Sequence, residues 1–148
     1  MLSPILAALL LTSVETPAGF HFGAGQEAHD FAAMCSSHTI RELDPAEMPL
    51  AETSHVQVDC LGFEYFGGSR LAEFVFADNA LTHVWVLVEE SELDALQAEF
   101  EAQHGAPDRE APVFAAFFGA RAAVRRDTPE VLYYGEAGAP LFEAFASQ

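Results

Sequence analysis

The sharpest alternation of apolar and polar side chains lies mid-chain. Val56, Val58 and Cys60 alternate with Gln57, Asp59 and Leu61, a period of two that predicts a strand with Cys60 turned inward. "YFGGSR" then supplies a turn, and the β-branched and aromatic runs "LAEFVFAD" and "LTHVWVLVE" follow, joined across Asp78-Asn79. These runs predict a three-stranded meander. Val84 to Val88 is apolar on both faces, so its strand is expected at the centre of the sheet, covered on both sides.

Helical spacing marks the flanks. Ala28, Phe31, Ala32 and Cys35 share one helix face, whereas Thr39 to Ser54 turns polar and carries Pro45 and Pro49, which predicts a long connecting loop. Ser91-Glu92-Leu93-Asp94 has the form of a helix N-cap. Leu93, Leu96 and Phe100 line one face, and "HGAP" ends the helix, with Gly105 as a left-handed cap and Pro107 as a block. Residues 113–118 fit helix or strand equally by periodicity. "ARAAVRRDTPEVLYYG" predicts two strands about a turn at Asp127 to Pro129, and Pro140 opens a last helix with Leu141, Phe142 and Phe145 inward. The fold class expected is α+β: an antiparallel sheet of about five strands, the three-stranded meander plus a C-terminal hairpin, with helices packed on one face.

Composition fixes the class. The chain has 148 residues, 51% of them hydrophobic, with 13 Phe, which suits one folded domain. Asp and Glu number 23 against 6 basic residues, all Arg, for a formal net charge of -17. Such a surface repels phosphate backbones, and no basic cluster exceeds Arg125-Arg126, so nucleic acid is excluded as a partner and a cationic partner is favoured. The apolar run Leu2 to Val14, about 13 residues, is too short to span a bilayer but has the length of a signal-peptide core. With Thr16-Pro17-Ala18 as a cleavage sequence, a signal peptide is expected over 1–18 and a single domain over 19–148, in the periplasm or secreted.

The two cysteines carry the candidate chemistry. In an oxidising compartment Cys35 and Cys60 would form a disulfide closing the proline-containing connector. A rival reading joins Cys35, His38, His55 and Cys60 into a tetrahedral zinc or copper site, with His21 and His29 as further copper ligands. A Cys60 nucleophile would need exposure beside His38, His55 or His83, against its inward alternation. Phe63, Tyr65 and Phe66, beside the glycine turn, are a candidate exposed aromatic lip for ligand binding, with packing into the core as the reading that 13 Phe favour; Glu89, Glu90 and Glu92 cluster at a helix start, where negative charge stabilises the helix end and a cation site is the alternative. Phosphate loops, nucleophile elbows and metalloprotease motifs are missing, so no cofactor and no enzymatic activity is expected.

The ordered set "QVDCLGF", "AEFVFADNAL", "VWVLVEE", "HGAP" and "DTPEVLYY" resembles a group of small uncharacterised exported proteobacterial proteins, over roughly Phe22 to the C-terminus. That resemblance implies an exported α+β domain with paired cysteines. The chain is also distantly similar to the small periplasmic-facing lipoproteins of outer-membrane assembly, the SmpA/OmlA type, although it lacks their lipidated cysteine. The expectation is therefore a non-catalytic domain that binds a protein or small ligand, with metal binding as the alternative.

Overall fold

A computed structural model describes residues 13–148, so the expected signal peptide falls mostly outside the described residues. Eight strands form one antiparallel sheet: β1 (Ser37–Leu43), β2 (His55–Tyr65), β3 (Gly68–Ala77), β4 (Ala80–Leu87), β5 (Arg109–Ala111), β6 (Phe114–Phe117), β7 (Ala122–Arg125) and β8 (Glu130–Tyr134). Their order is β1-β2-β3-β4-β8-β7-β6-β5, two meanders joined where β4 pairs with β8. Among the described residues three α-helices accompany the sheet: α1 (Phe31–Met34), α2 (Leu93–His104) and α3 (Ala139–Ala146).

The mixed α and β content agrees with expectation, but a sheet of about five strands does not. The stretch expected to be a loop contains β1, which pairs along its length with β2. Six of its seven side chains are exposed, so it carries no apolar alternation. Of residues 113–118, Phe114–Phe117 form strand, because β6 finds partners on both sides in β5 and β7, and Phe118 begins a 3-10 turn. The meander β2-β3-β4 turns through Asp78-Asn79 as expected and through Phe66-Gly67, one residue before the Gly-Gly pair that the sequence suggests, all four at positive φ, the geometry of a two-residue hairpin.

The helices do not share one face. On one side of the sheet α1, α2 and the segment around Val14 and Phe20 cover Val58, Cys60, Phe74, Val84, Val86, Phe117 and Tyr133, which form the main core. Leu93, Leu96 and Phe100 are the buried face of α2, as their spacing predicts. Helix α3 lies on the opposite side, where Phe142 packs against His83, Trp85 and Tyr134 at ring distances of 4.9, 6.4 and 5.4 Å. None of its residues is buried, and Phe145, expected inward, is 68% exposed.

A bulge in β2 decides which side chains enter the core. Val58 and Cys60 face inward at even positions, then the register against β3 shifts between Leu61 and Phe63. Gly62 sits in the shift at φ +77°, with Ser36 Oγ 2.5 Å from where a Cβ would stand, so a side chain there meets both strain and a clash. After the extra residue the odd positions Phe63 and Tyr65 point inward.

Candidate functional site

Cys35 and Cys60 are joined in a disulfide with Cα atoms 5.3 Å apart. Cys60 is fully buried on β2, and Cys35 caps α1, held there by its N–H donating to the Phe31 carbonyl. Such a bond is compatible with an oxidising compartment. With both sulfurs bonded to each other, neither is a thiolate for a metal or a nucleophile. His38 sits across from Cys60 in the β1-β2 register, its ring 5.4 Å from Phe31, whereas His55 is at the other end of β2, five residues from Cys60 and hence about 17 Å along the strand. The structure does not bring the four residues together, and among the described residues no group of three or more His, Cys, Asp or Glu is arranged to hold a metal.

The aromatic lip is overturned by the bulge. Phe63 and Tyr65 belong to the main core and Phe66 is half-buried against it. The Tyr65 and Tyr133 hydroxyls lie 2.6 Å apart, and Tyr133 donates to the Val14 carbonyl at 2.7 Å, so Tyr65 donates to Tyr133. Burial pushes both phenols well above their usual range.

The acidic cluster has a structural partner. Arg70, buried on β3, donates from both terminal nitrogens to Glu92 and also to the Tyr65 and Phe66 carbonyls. Glu92 accepts the Glu89 N–H as well, closing the capping box of the turn Glu90–Glu92 that leads into α2. The guanidinium holds Glu92 below the usual carboxylate range. The cap is therefore Glu89, and not Ser91.

Two histidines are buried in the neutral form. His29 Nδ1 donates to the Gly25 carbonyl at 2.8 Å and Nε2 accepts the His21 N–H at 3.1 Å, so backbone groups occupy both ring nitrogens that copper would need. Desolvation lowers its pKa. His83 packs beneath Phe142. Thr82 Oγ1 donates to the Val75 carbonyl and so accepts from His83 Nδ1 at 2.8 Å. Burial, with a smaller contribution from His55, pushes His83 down to about 4.

A folded pKa below the unfolded value of 6.5 means that this contribution is fully present above pH 6.5 and is lost as the pH falls toward 4. The loss amounts to about 2 kcal/mol by pH 5. Glu73 and Glu130, whose pKa values burial raises, act in the opposite sense, so the His83 share must be isolated by difference. Urea unfolding of the wild type and His83→Gln is expected to show the gap between them narrowing by that amount between pH 7 and pH 5. A gap independent of pH would mean that His83 is not neutral in the fold.

A groove lies under α3. Ala116 on β6, Ala123 on β7, Leu132 on β8 and Trp85 on β4 form the floor of a groove of about 560 Å³, roofed by Phe142 and Phe145. Alanines on the outward face of β6 and β7 leave the depth; larger side chains there would fill it. Tyr134 adds a neutral phenol, its pKa raised by burial and by Glu143. The charged residues of the lining are Arg125, over the Trp85 ring at 5.8 Å, and Asp127. Arg125 already donates to Asp127 and Glu130. Sequence reading missed the groove because its floor comes from four strands, and neither β6 nor the pairing of β4 with β8 that brings the two halves together was expected.

No family model, curated protein or solved structure matches the chain. Among the described residues no helix is long and apolar enough to cross a membrane.

Proposed function

We propose that this is an exported, non-catalytic binding domain of the periplasm or extracellular space, whose ligand is a small apolar molecule, neutral or cationic, seated under α3. The groove carries this reading. Its volume falls within the range of small-molecule sites, about 300–1,000 Å³, and its walls are apolar with a few polar groups at the rim. Charge selects the ligand: Arg125 is engaged by two carboxylates and the chain carries a formal charge of -17, so an anionic ligand finds repulsion and no free cation in the lining. The disulfide supports export.

A neutral apolar fluorophore, N-phenyl-1-naphthylamine, tests the site. Saturable binding is expected, with weaker binding of the anionic anilinonaphthalene sulfonate. Ala123→Phe, which fills the floor from a half-exposed position, should weaken the neutral dye about tenfold or more while the thermal transition is retained. Absence of saturable binding, or equal binding by the folded variant, would refute the reading.

A further inference from the structure

We propose that two copies of this chain associate through β1, edge to edge and antiparallel about a twofold axis at Ile40, so that their sheets join into one. The inference is independent of the groove, whose floor strands do not include β1.

The two edges of the sheet differ. β5 is three residues long, too short to template a partner, whereas β1 pairs with β2 over seven residues without a register shift, a proline or a glycine. β1 ends the strand order, and among the described residues no strand pairs with its outer side. Alternate residues of such an edge turn their N–H and C=O groups outward, ready for a further strand. The charge best placed to guard the edge is withdrawn from it: Arg41 reaches back over β2 to Asp59, Nε donating to Oδ2 at 2.8 Å.

The side chains of β1 select a second copy as the occupant. In the one antiparallel register that pairs all seven residues, Ile40 faces Ile40 of the second copy, and His38 faces Glu42, Thr39 faces Arg41 and Ser37 faces Leu43, each twice. No like charges meet, and the His38 imidazole is a donor beside the Glu42 carboxylate. Ile40 is 55% exposed on the face of its fully buried β2 partner Val58, so the pairing extends that apolar row to Ile40 and Val58 of the second copy. On the other face Leu61, 50% exposed opposite Ser37, gains Leu43 of the second copy across that small side chain. Two of the four large apolar side chains exposed among the described residues are thereby covered. The formal charge of -17 on each copy opposes the approach. Salt should therefore strengthen the dimer, because the screening length falls from about 8 Å at 0.15 M to about 3 Å at 1 M.

Sedimentation velocity of the full chain, with its disulfide intact and over loadings up to about 1 mM, gives the test. A concentration-dependent dimer is expected, tighter in 1 M sodium chloride than in 0.15 M. Ile40→Lys, at an exposed position, should raise the dissociation constant about tenfold or more with the thermal transition retained. His38→Glu sets two carboxylates face to face at each end and should also weaken the dimer. Adding Glu42→Lys to it should restore the association, whereas adding Glu101→Lys, the same charge change at an exposed position on α2, should not. A single-chain mass at every loading and salt would overturn the inference. So would polymers that grow without limit, a dimer indifferent to Ile40→Lys, or one abolished instead by Phe145→Lys on α3.

Discussion

Phe74→Ala is expected to destabilise the domain by about 4 kcal/mol, because it empties the centre of the aromatic cluster. Phe74 is fully buried on β3, with Phe20 and Phe31 each at 5.1 Å and Phe63 at 6.4 Å, all edge to face. A cavity at this point has little chance to collapse. Phe31 begins α1, whose first turn is capped by Asp30 accepting the Ala33 N–H and whose end is tied to β2 through Cys35. Phe63 is fixed by the bulge, and Phe20 by the turn that its N–H closes with the Pro17 carbonyl. Urea denaturation with the disulfide intact measures the loss. Ile40→Ala, at a 55% exposed position on edge strand β1, provides the contrast at about 0.5 kcal/mol or less. A loss below about 1 kcal/mol for Phe74→Ala would mean that the aromatic cluster is not packed as described.

Removing the disulfide ranks second. Its ends are 25 residues apart, and closing a loop of that length restricts the unfolded chain by about 3–4 kcal/mol in the chain-entropy account. The bond also fastens α1 to the middle of β2, so part of the cost falls on the native state. The paired change Cys35→Ala with Cys60→Ala avoids a lone thiol and is expected to lower the urea midpoint, with a somewhat steeper slope because the unfolded chain without the cross-link exposes more surface. Thiol reductant acting on the wild type should reach nearly the same midpoint. If the oxidised protein, the reduced protein and the double variant unfold together, the bond contributes nothing to stability.

Much of the fold was legible, for reasons that differ from element to element. The meander β2-β3-β4 announces itself because one face of each strand is buried and Gly67, Asp78 and Asn79 in its turns tolerate positive φ. Helix α2 is clear from Leu93, Leu96 and Phe100. Strand β1 was not legible, since a strand exposed on both faces has no apolar period to read, and Pro45 and Pro49 nearby argue for a loop. Strand β5 is three residues long and exists only because β6 lies beside it. The side chosen by α3 depends on a sheet face that appears only once β6, β7 and β8 have paired.

The candidate site divides in the same way. Pairing of Cys35 with Cys60 follows from inward alternation and an oxidising compartment. The aromatic lip failed through a single residue: alternation carried unbroken past Gly62 places Phe63 and Tyr65 outside, and the bulge reverses that parity. A glycine between two strand-like stretches was the available signal, and it marks a bulge as readily as a turn.

The strand order also dictates when the sheet can be finished. β4 and β8 form its central pair, with His83 opposite Tyr134, so two neighbours in the middle of the molecule lie about fifty positions apart along the chain. Until the last strand emerges from the ribosome, β4 presents an open edge along Val84 to Leu87, an unbroken apolar stretch. Order therefore arrives late and from the C-terminal side. A chain of this topology remains threadable almost until its synthesis is complete, and any product halted before Glu130 keeps the adhesive edge that the complete protein hides.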